Sequence, residues 1–208
     1  MTRPSHRTRV QQDIRARLFR GEIGPDTRLV DHAIAAEMGI SRMPVREALM
    51  QLVSEGYLVG TSRGFALPDL PAARIAEVFT LRKLLEPHAA ASAALALTPD
   101  QIASLRDALA SLIAADDVPE FHRAAETFRN LWLSAVPNIT LRDTIHRYSA
   151  QVQTVRLATM HDPAARRVIA SGLTALLTAF ETRNALTAAD LMTRFIHQAE
   201  DSHHNLTP

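Results

Sequence analysis

The stretch GISRMPVREALMQLVSEGYLVGTSRGFAL, residues 39–67, constrains this chain more than any other. Gly39 separates it from what precedes, and Ser41 is of the type that caps a helix. Val45, Ala48, Leu49 and Leu52 then recur at the spacing that lines one side of a helix. Arg42 and Arg46 stand four residues apart on the other side, so their guanidinium groups leave one face together. Gly56 ends the helix. Two short apolar runs follow, Tyr57-Leu58-Val59 and Phe65-Ala66-Leu67, and the turn Thr61-Ser62-Arg63-Gly64 between them predicts a hairpin. A helix start offers unpaired N–H groups that favour phosphate, and arginine can bind the O6 and N7 of guanine as a fork. Two arginines on a helix are often only a solvated face. Their occurrence with a short helix before them and an Arg63-Gly64 hairpin tip after them points to duplex DNA.

Upstream, Val10, Ile14 and Leu18 recur every four residues and Gly21 follows, which predicts an amphipathic helix. Gly24-Pro25-Asp26 predicts a turn. Asp31 is positioned to cap a second helix that carries Ile34, Ala35 and Met38 inward and breaks at Gly39. Pro68 and Pro71 bracket a linker. Beyond it strand signals vanish, and glycine occurs once more, at Gly172. Helices are expected near 71–96, 99–115, 118–135, 139–160, 164–182 and 187–203, with Pro99, Pro119 and Pro163 in first turns and Pro87 inside the first of them. Short connections imply antiparallel neighbours. The expectation is a mainly α protein: a winged helix-turn-helix over 1–68 and an antiparallel helical bundle over 69–208.

Charge follows the same division. Residues 1–68 hold ten arginines and seven carboxylates, net +3; residues 69–208 hold 13 Lys and Arg and 15 carboxylates, net −2. A basic head on an acidic body suits a nucleic-acid-binding end. Disulfides and thiolate metal sites are excluded, since the chain has no cysteine. No apolar run is long enough to span a bilayer, and the basic start lacks the apolar core of a secretory signal, so a cytoplasmic protein without a membrane partner is expected. An enzyme built on His122, Glu126 and His146 is disfavoured: no cysteine, G-x-S-x-G or phosphate-binding glycine loop accompanies them. A third possibility is a helical protein-binding module whose head is vestigial.

The segment PDTRLVDHAIAAEMGISRMPVREALMQLVSEGYL resembles the GntR family of bacterial transcription regulators, in its P-G-x-x-L, L-A-x-x-L-G-V-S-R-x-P-V-R-E-A-L and L-x-x-E-G pattern. The resemblance covers residues 7–68. It implies operator contacts at Ser41, Arg42, Met43 and Arg46, a wing tip at Arg63 and Gly64, and contacts near the backbone from Arg28 and His32. The family usually has threonine at position 43; Met43 cannot donate a hydrogen bond but can touch a thymine methyl.

The second half is similar, more loosely, to the FCD domain of the FadR-like branch. VFTLRKLLEPHAAASAA, residues 78–94, carries its R-x-x-L-E-P; Phe128, Ala135 and Asn138 match its F-H-x₅-A-x-x-N spacing; Ala179, Ala188 and Met192 match the small or apolar positions of its last helices. The resemblance implies a homodimer that binds a small-molecule effector, and most of the branch resemble repressors released by a metabolite. Many such domains hold a divalent metal on one Asp and three His. Those positions fall here on Ala125, Arg129, Leu173 and Phe195, so no metal cofactor is expected, although His122, Glu126, His146 and His197 leave a rebuilt site open. A metal-free pocket with Arg82 and Arg129 pointing inward, and Trp132, Tyr148 and Arg156 on facing helices, suits a carboxylate-bearing effector held by arginine forks. The alternative for Arg82 is an internal pair with Glu86 at i,i+4.

Overall fold

A computed structural model describes residues 5–24, 26–69 and 71–206, with side chains described for these except 149–159 and 205–206. The chain divides into two compact units: Met1–Pro71 with Ser149–Leu157, and Ala72–Tyr148 with Ala158–Pro208.

The first unit contains α1 (His6–Phe19), α2 (Asp31–Met38), α3 (Arg42–Ser54), β1 (Val59–Thr61) and β2 (Gly64–Ala66). Val10, Ile14 and Leu18 of α1 are buried against Val45, Ala48, Leu49 and Leu52 of α3. Polar ties fix the same packing. Glu55 accepts from Gln11 Nε2 at 2.8 Å and Arg15 Nη2 at 2.6 Å, Arg17 pairs with Glu37 of α2, and the Phe19 and Tyr57 rings meet edge to face at 6.1 Å.

Gly39 is the left-handed C-cap of α2, φ +64°, which lets the chain turn within two residues into α3. The hairpin is tighter than expected: Thr61 pairs with Gly64, so Ser62 and Arg63 alone make the turn, β1 begins two residues later and β2 one residue earlier than the apolar runs suggest, and Tyr57 and Leu58 are buried ahead of β1 rather than part of it. Leu29 adds a bridge to Phe65, with both N–H···O bonds at 2.8 Å. Two capping expectations need correction. Ser41 is in the extended N-cap position of α3, but its hydroxyl makes no capping bond. Asp31 is the first residue of α2, after an N-cap at Val30, and its carboxylate is used elsewhere.

The second unit contains α4 (Ala72–Ala96), α5 (Pro99–Ile113), α6 (Val118–Ser134), α7 (Ile139–Met160), α8 (Pro163–Glu181) and α9 (Ala185–Leu206). α4 runs on through Pro87 and packs along α9; α5 packs on α6 and α8; α8 packs on α9. The junctions are chemically explicit. Thr98 and Gln101 form a reciprocal capping box at α5, Asp117 accepts from Glu120 N at 2.7 Å to start α6, and Asp162 accepts from Ala164 N at 2.8 Å to start α8. Between α8 and α9, Arg183 adopts φ +52° and donates to the carbonyls of Leu95 and Leu97 at 2.8 and 3.0 Å. Ala89, Ala90, Ala93 and Ala94 of α4 are fully buried, so the alanine run permits close helix packing. Ala179, Ala188 and Met192 are also buried. No helix of the described residues is long and apolar enough to cross a membrane.

Candidate functional site

The first unit exposes the arginine face of α3. With Val45, Ala48, Leu49 and Leu52 at 0% exposure on the inner side, Arg42 and Arg46 must leave from the outer side, and their side chains are 65% and 66% exposed. Met43 lies between them, 66% exposed. Ser41, His32, Arg28 and Arg63 are also exposed, and Gly64 is half-buried.

Asp31 organises this face. It is the one buried carboxylate among the described residues of the first unit, and Arg42 Nη2 donates to both its oxygens, at 3.0 and 3.2 Å. Arg46 Nη1 stands 3.8 Å from Oδ2. Desolvation opposes the charged form of Asp31, but the hydrogen bond and charge of Arg42, with a backbone N–H from His32 and the more distant Arg46, hold its pKa below the usual aspartate value. Only one nitrogen of Arg42 is engaged, which leaves the rest of the fork outward. Sequence spacing pointed to Asp31 as a cap and missed this role, because its partner lies eleven residues away, across the turn.

Gly64 has a further reason to be glycine. Its φ is +119°, and a Cβ built there would lie 2.5 Å from the Leu29 carbonyl oxygen. The Leu29–Phe65 bridge therefore requires a residue without a side chain at that point. Thr61 steadies the tip: its hydroxyl donates to the Gly64 carbonyl at 3.0 Å and accepts from Arg63 N at 3.2 Å.

In the second unit, Arg82, Arg129 and Tyr148 do come together, around Glu86. That carboxylate is fully buried. Arg129 donates to it as a fork, Nη1 to Oε2 at 2.9 Å and Nη2 to Oε1 at 3.0 Å. Arg82 Nε donates to Oε1 at 3.1 Å, and the Tyr148 hydroxyl lies 3.5 Å from the same oxygen. The two arginines are therefore not open forks, as the sequence suggested; a carboxylate of the chain itself engages both. The i,i+4 pair of Arg82 with Glu86 was one of the two readings of the sequence. The fork from α6 to a residue 43 positions earlier was not visible there. Burial disfavours the Arg129 cation, but the charge and hydrogen bonds of Glu86 raise its pKa. Burial, and then Glu86, push the Tyr148 phenol well above its usual range, so it remains a neutral donor.

Trp132 is core and not a ligand shelf: it is 1% exposed, tilted against Phe180 at 6.3 Å, with the Arg129 guanidinium 5.8 Å from its ring centre. The side chain of Arg156 lies outside the described residues.

The positions that carry a metal in many FCD domains do not fit one here. Arg129 is bound to Glu86, and Ala125, Leu173 and Phe195 offer only hydrocarbon. His122 is buried on α6, whereas His197 is exposed and faces Glu200 at 3.8 Å. Among the described residues no group of three or more His, Asp or Glu could hold an ion. His146 has a lowered pKa, from partial desolvation first and then from the Arg129 and Arg142 cations.

Residues 6–64 match the model for bacterial regulatory proteins of the gntR family, and residues 77–198 match the FCD domain. The chain is 35% identical over 109 residues to the HTH-type transcriptional regulator McbR of Escherichia coli, across 52% of this chain and 49% of that protein. It is 30% identical over 135 residues to the Nta operon transcriptional regulator of Aminobacter aminovorans, across 64% of each. A third relative, the gluconate operon transcriptional repressor of Bacillus subtilis, is 38% identical over 86 residues, 41% of this chain and 35% of that one. The matches thus span from about a third to under two thirds of these relatives' lengths. In fold the likeness covers nearly everything: the solved McbR of E. coli superposes with a TM-score of 0.76 at 24% identity over 98% of this chain and 99% of its own, and a GntR regulator of Rhodococcus sp. RHA1 with 0.72 at 20% identity over 99% and 100%. With its serine-led arginine helix and glycine-tipped wing followed by a six-helix FCD domain, the chain belongs to the gntR family of bacterial regulatory proteins.

Proposed function

We propose that this protein is a ligand-responsive repressor that works in the cytoplasm as a homodimer, bound to two operator half-sites related by a two-fold axis. The observation that carries the reading is the outward pair Arg42 and Arg46 on a helix whose other side is fully buried, both facing a buried Asp31. Their forks suit guanine edges in the major groove, Met43 suits a thymine methyl, and the Arg63-Gly64 tip suits an adjacent groove or phosphate. Arg28, His32 and Ser41 are at hand for the sugar-phosphate backbone. The test is a mobility shift on the DNA upstream of the protein's own gene. Saturable binding that weakens in Arg46→Ala supports the reading; a variant that binds as well as the natural protein would falsify it. A salt series separates it from the protein-binding alternative, since operator affinity must fall linearly with log salt.

The effector we propose is a small carboxylate-bearing metabolite, bound in the FCD domain without a metal. What supports it is the charge of the buried cluster: among the described residues, Arg82 and Arg129 share the carboxylate of Glu86, two cations to one anion, beside a neutral phenol donor. A second carboxylate there would complete the balance. Its effect on operator affinity equals its differential affinity for the DNA-binding and released conformations. Calorimetric titration of the full-length protein with short dicarboxylates checks this; binding that survives in Arg129→Leu would place the effector elsewhere.

A further inference from the structure

A cleft of about 390 Å³ opens between α8 and α9, within the volume range of small-molecule sites. It is distinct from the Glu86 cluster: its lining comes only from α8 and α9, whereas Arg82, Glu86, Arg129 and Tyr148 come from α4, α6 and α7. We propose that this cleft binds an organic acid with a compact apolar body and one anionic group.

The floor is hydrocarbon. Phe195 lies against the backbone of Gly172, so closely that a Cβ there would sit 2.7 Å from Cδ2 of the ring. Ala175, Leu191 and Val168 extend the same surface, and Val168 remains 41% exposed. The rim is cationic and polar. Arg167 on α8 makes no ion pair or hydrogen bond among the described residues. Arg194 on α9 is paired with Asp190 at 3.0 Å, but both side chains are largely exposed, 72% and 57%. An exposed pair of this kind is weak and readily exchanged.

Two neutral groups at the rim are also uncommitted. The hydroxyls of Ser92, Ser104, Ser111 and Ser202 donate back to the carbonyl four residues earlier in their helices. Ser171 has no such bond, and the side-chain amide of Gln198 has no partner among the described residues. The cleft thus combines two arginines from facing helices, a hydroxyl and an amide over an apolar floor. Charge complementarity selects an anion, and the floor selects an organic one: inorganic phosphate would leave Phe195 and Leu191 wet.

The test uses the full-length protein and four probes, phenylacetate, hexanoate and their uncharged amides, with inorganic phosphate as a fifth, followed by calorimetry. The acids should bind saturably and their amides at least about tenfold more weakly, the difference expected of charge-assisted hydrogen bonds. The double variant Arg167→Ala/Arg194→Ala should lose the acids by a similar factor and bind operator as before. Ala175→Trp, which fills the floor, should lose them at unchanged sedimentation. Equal affinity for acids and amides, undiminished binding in the double variant, phosphate binding as tightly as the acids, or no binding at millimolar probe would each overturn the proposal. A change of oligomeric state in Ala175→Trp would also overturn it, by assigning the cleft to an interface between copies. Acid held at the Glu86 cluster instead would survive the double variant and be lost in Arg129→Leu, so failure of this proposal and failure of the effector reading above are told apart.

Discussion

In the proposed operator contact, Arg42 and Arg46 would owe their placement to Asp31 as much as to their own charge. An arginine on an open helix loses rotamer freedom when it binds a base; the bond from Arg42 to a buried carboxylate has already restricted it. Arg46→Ala should weaken operator binding by roughly 1–3 kcal/mol, or about fivefold to more than a hundredfold, measured by mobility shift at fixed salt. Asp31→Asn keeps the shape but removes the charge; operator affinity should fall while the fold, read by circular dichroism, is retained. Full affinity in that variant would remove Asp31 from the recognition face. Glu86 presents the opposite case. Here two buried cations depend on one anion, and Glu86→Ala should lower stability by about 3–5 kcal/mol, the usual cost of a buried charge left without its partner. Denaturant unfolding measures it, and a loss below 1 kcal/mol would mean that water reaches the arginines.

At the scale of elements, the hairpin is fixed by what it touches. Gly64→Ala asks a residue with a Cβ to hold φ +119° against the Leu29 carbonyl. It should cost about 1–3 kcal/mol and lower the melting temperature of the protein, and an unchanged melting temperature would show that the bridge yields. The helices of the second unit were legible to within three residues at each end, because Pro99, Pro119 and Pro163 sit in first turns; the caps Thr98, Asp117 and Asp162 came only with the structure. The strands were displaced toward the turn, β1 by two residues and β2 by one. Tyr57 and Leu58 read as strand from their side chains, yet they are spent on burial under α1 and α3, and only the approach of Leu29 decides where pairing begins. The capping roles of Ser41 and Asp31 failed for a related reason: capping propensity is local, and for Asp31 a distant guanidinium competes successfully for the carboxylate.

For the molecule as a whole, two histidines are expected to set an acid limit. His146 and His203 have lowered pKa values, each mainly through desolvation and further through neighbouring positive charge: Arg129 and Arg142 for His146, His204 for His203. A depressed histidine contributes no penalty above the unfolded value near 6.5; as pH falls below it, the unfolded chain takes up protons first and stability declines. The melting temperature should therefore drop between about pH 6.5 and 5, and His146→Gln/His203→Gln should flatten that drop. An unaltered pH profile in the double variant would assign acid sensitivity to other groups. The sequence by itself determined the order of helices, the arginine face and the membership of the family, because these rest on periodicity, caps and short motifs that act within a few residues. Only the tertiary structure decided which carboxylate holds which arginine. Glu86 meets Arg129 across 43 residues and Asp31 meets Arg42 across eleven, over the turn between α2 and α3, and such pairings arise from packing, which places charges that local spacing cannot.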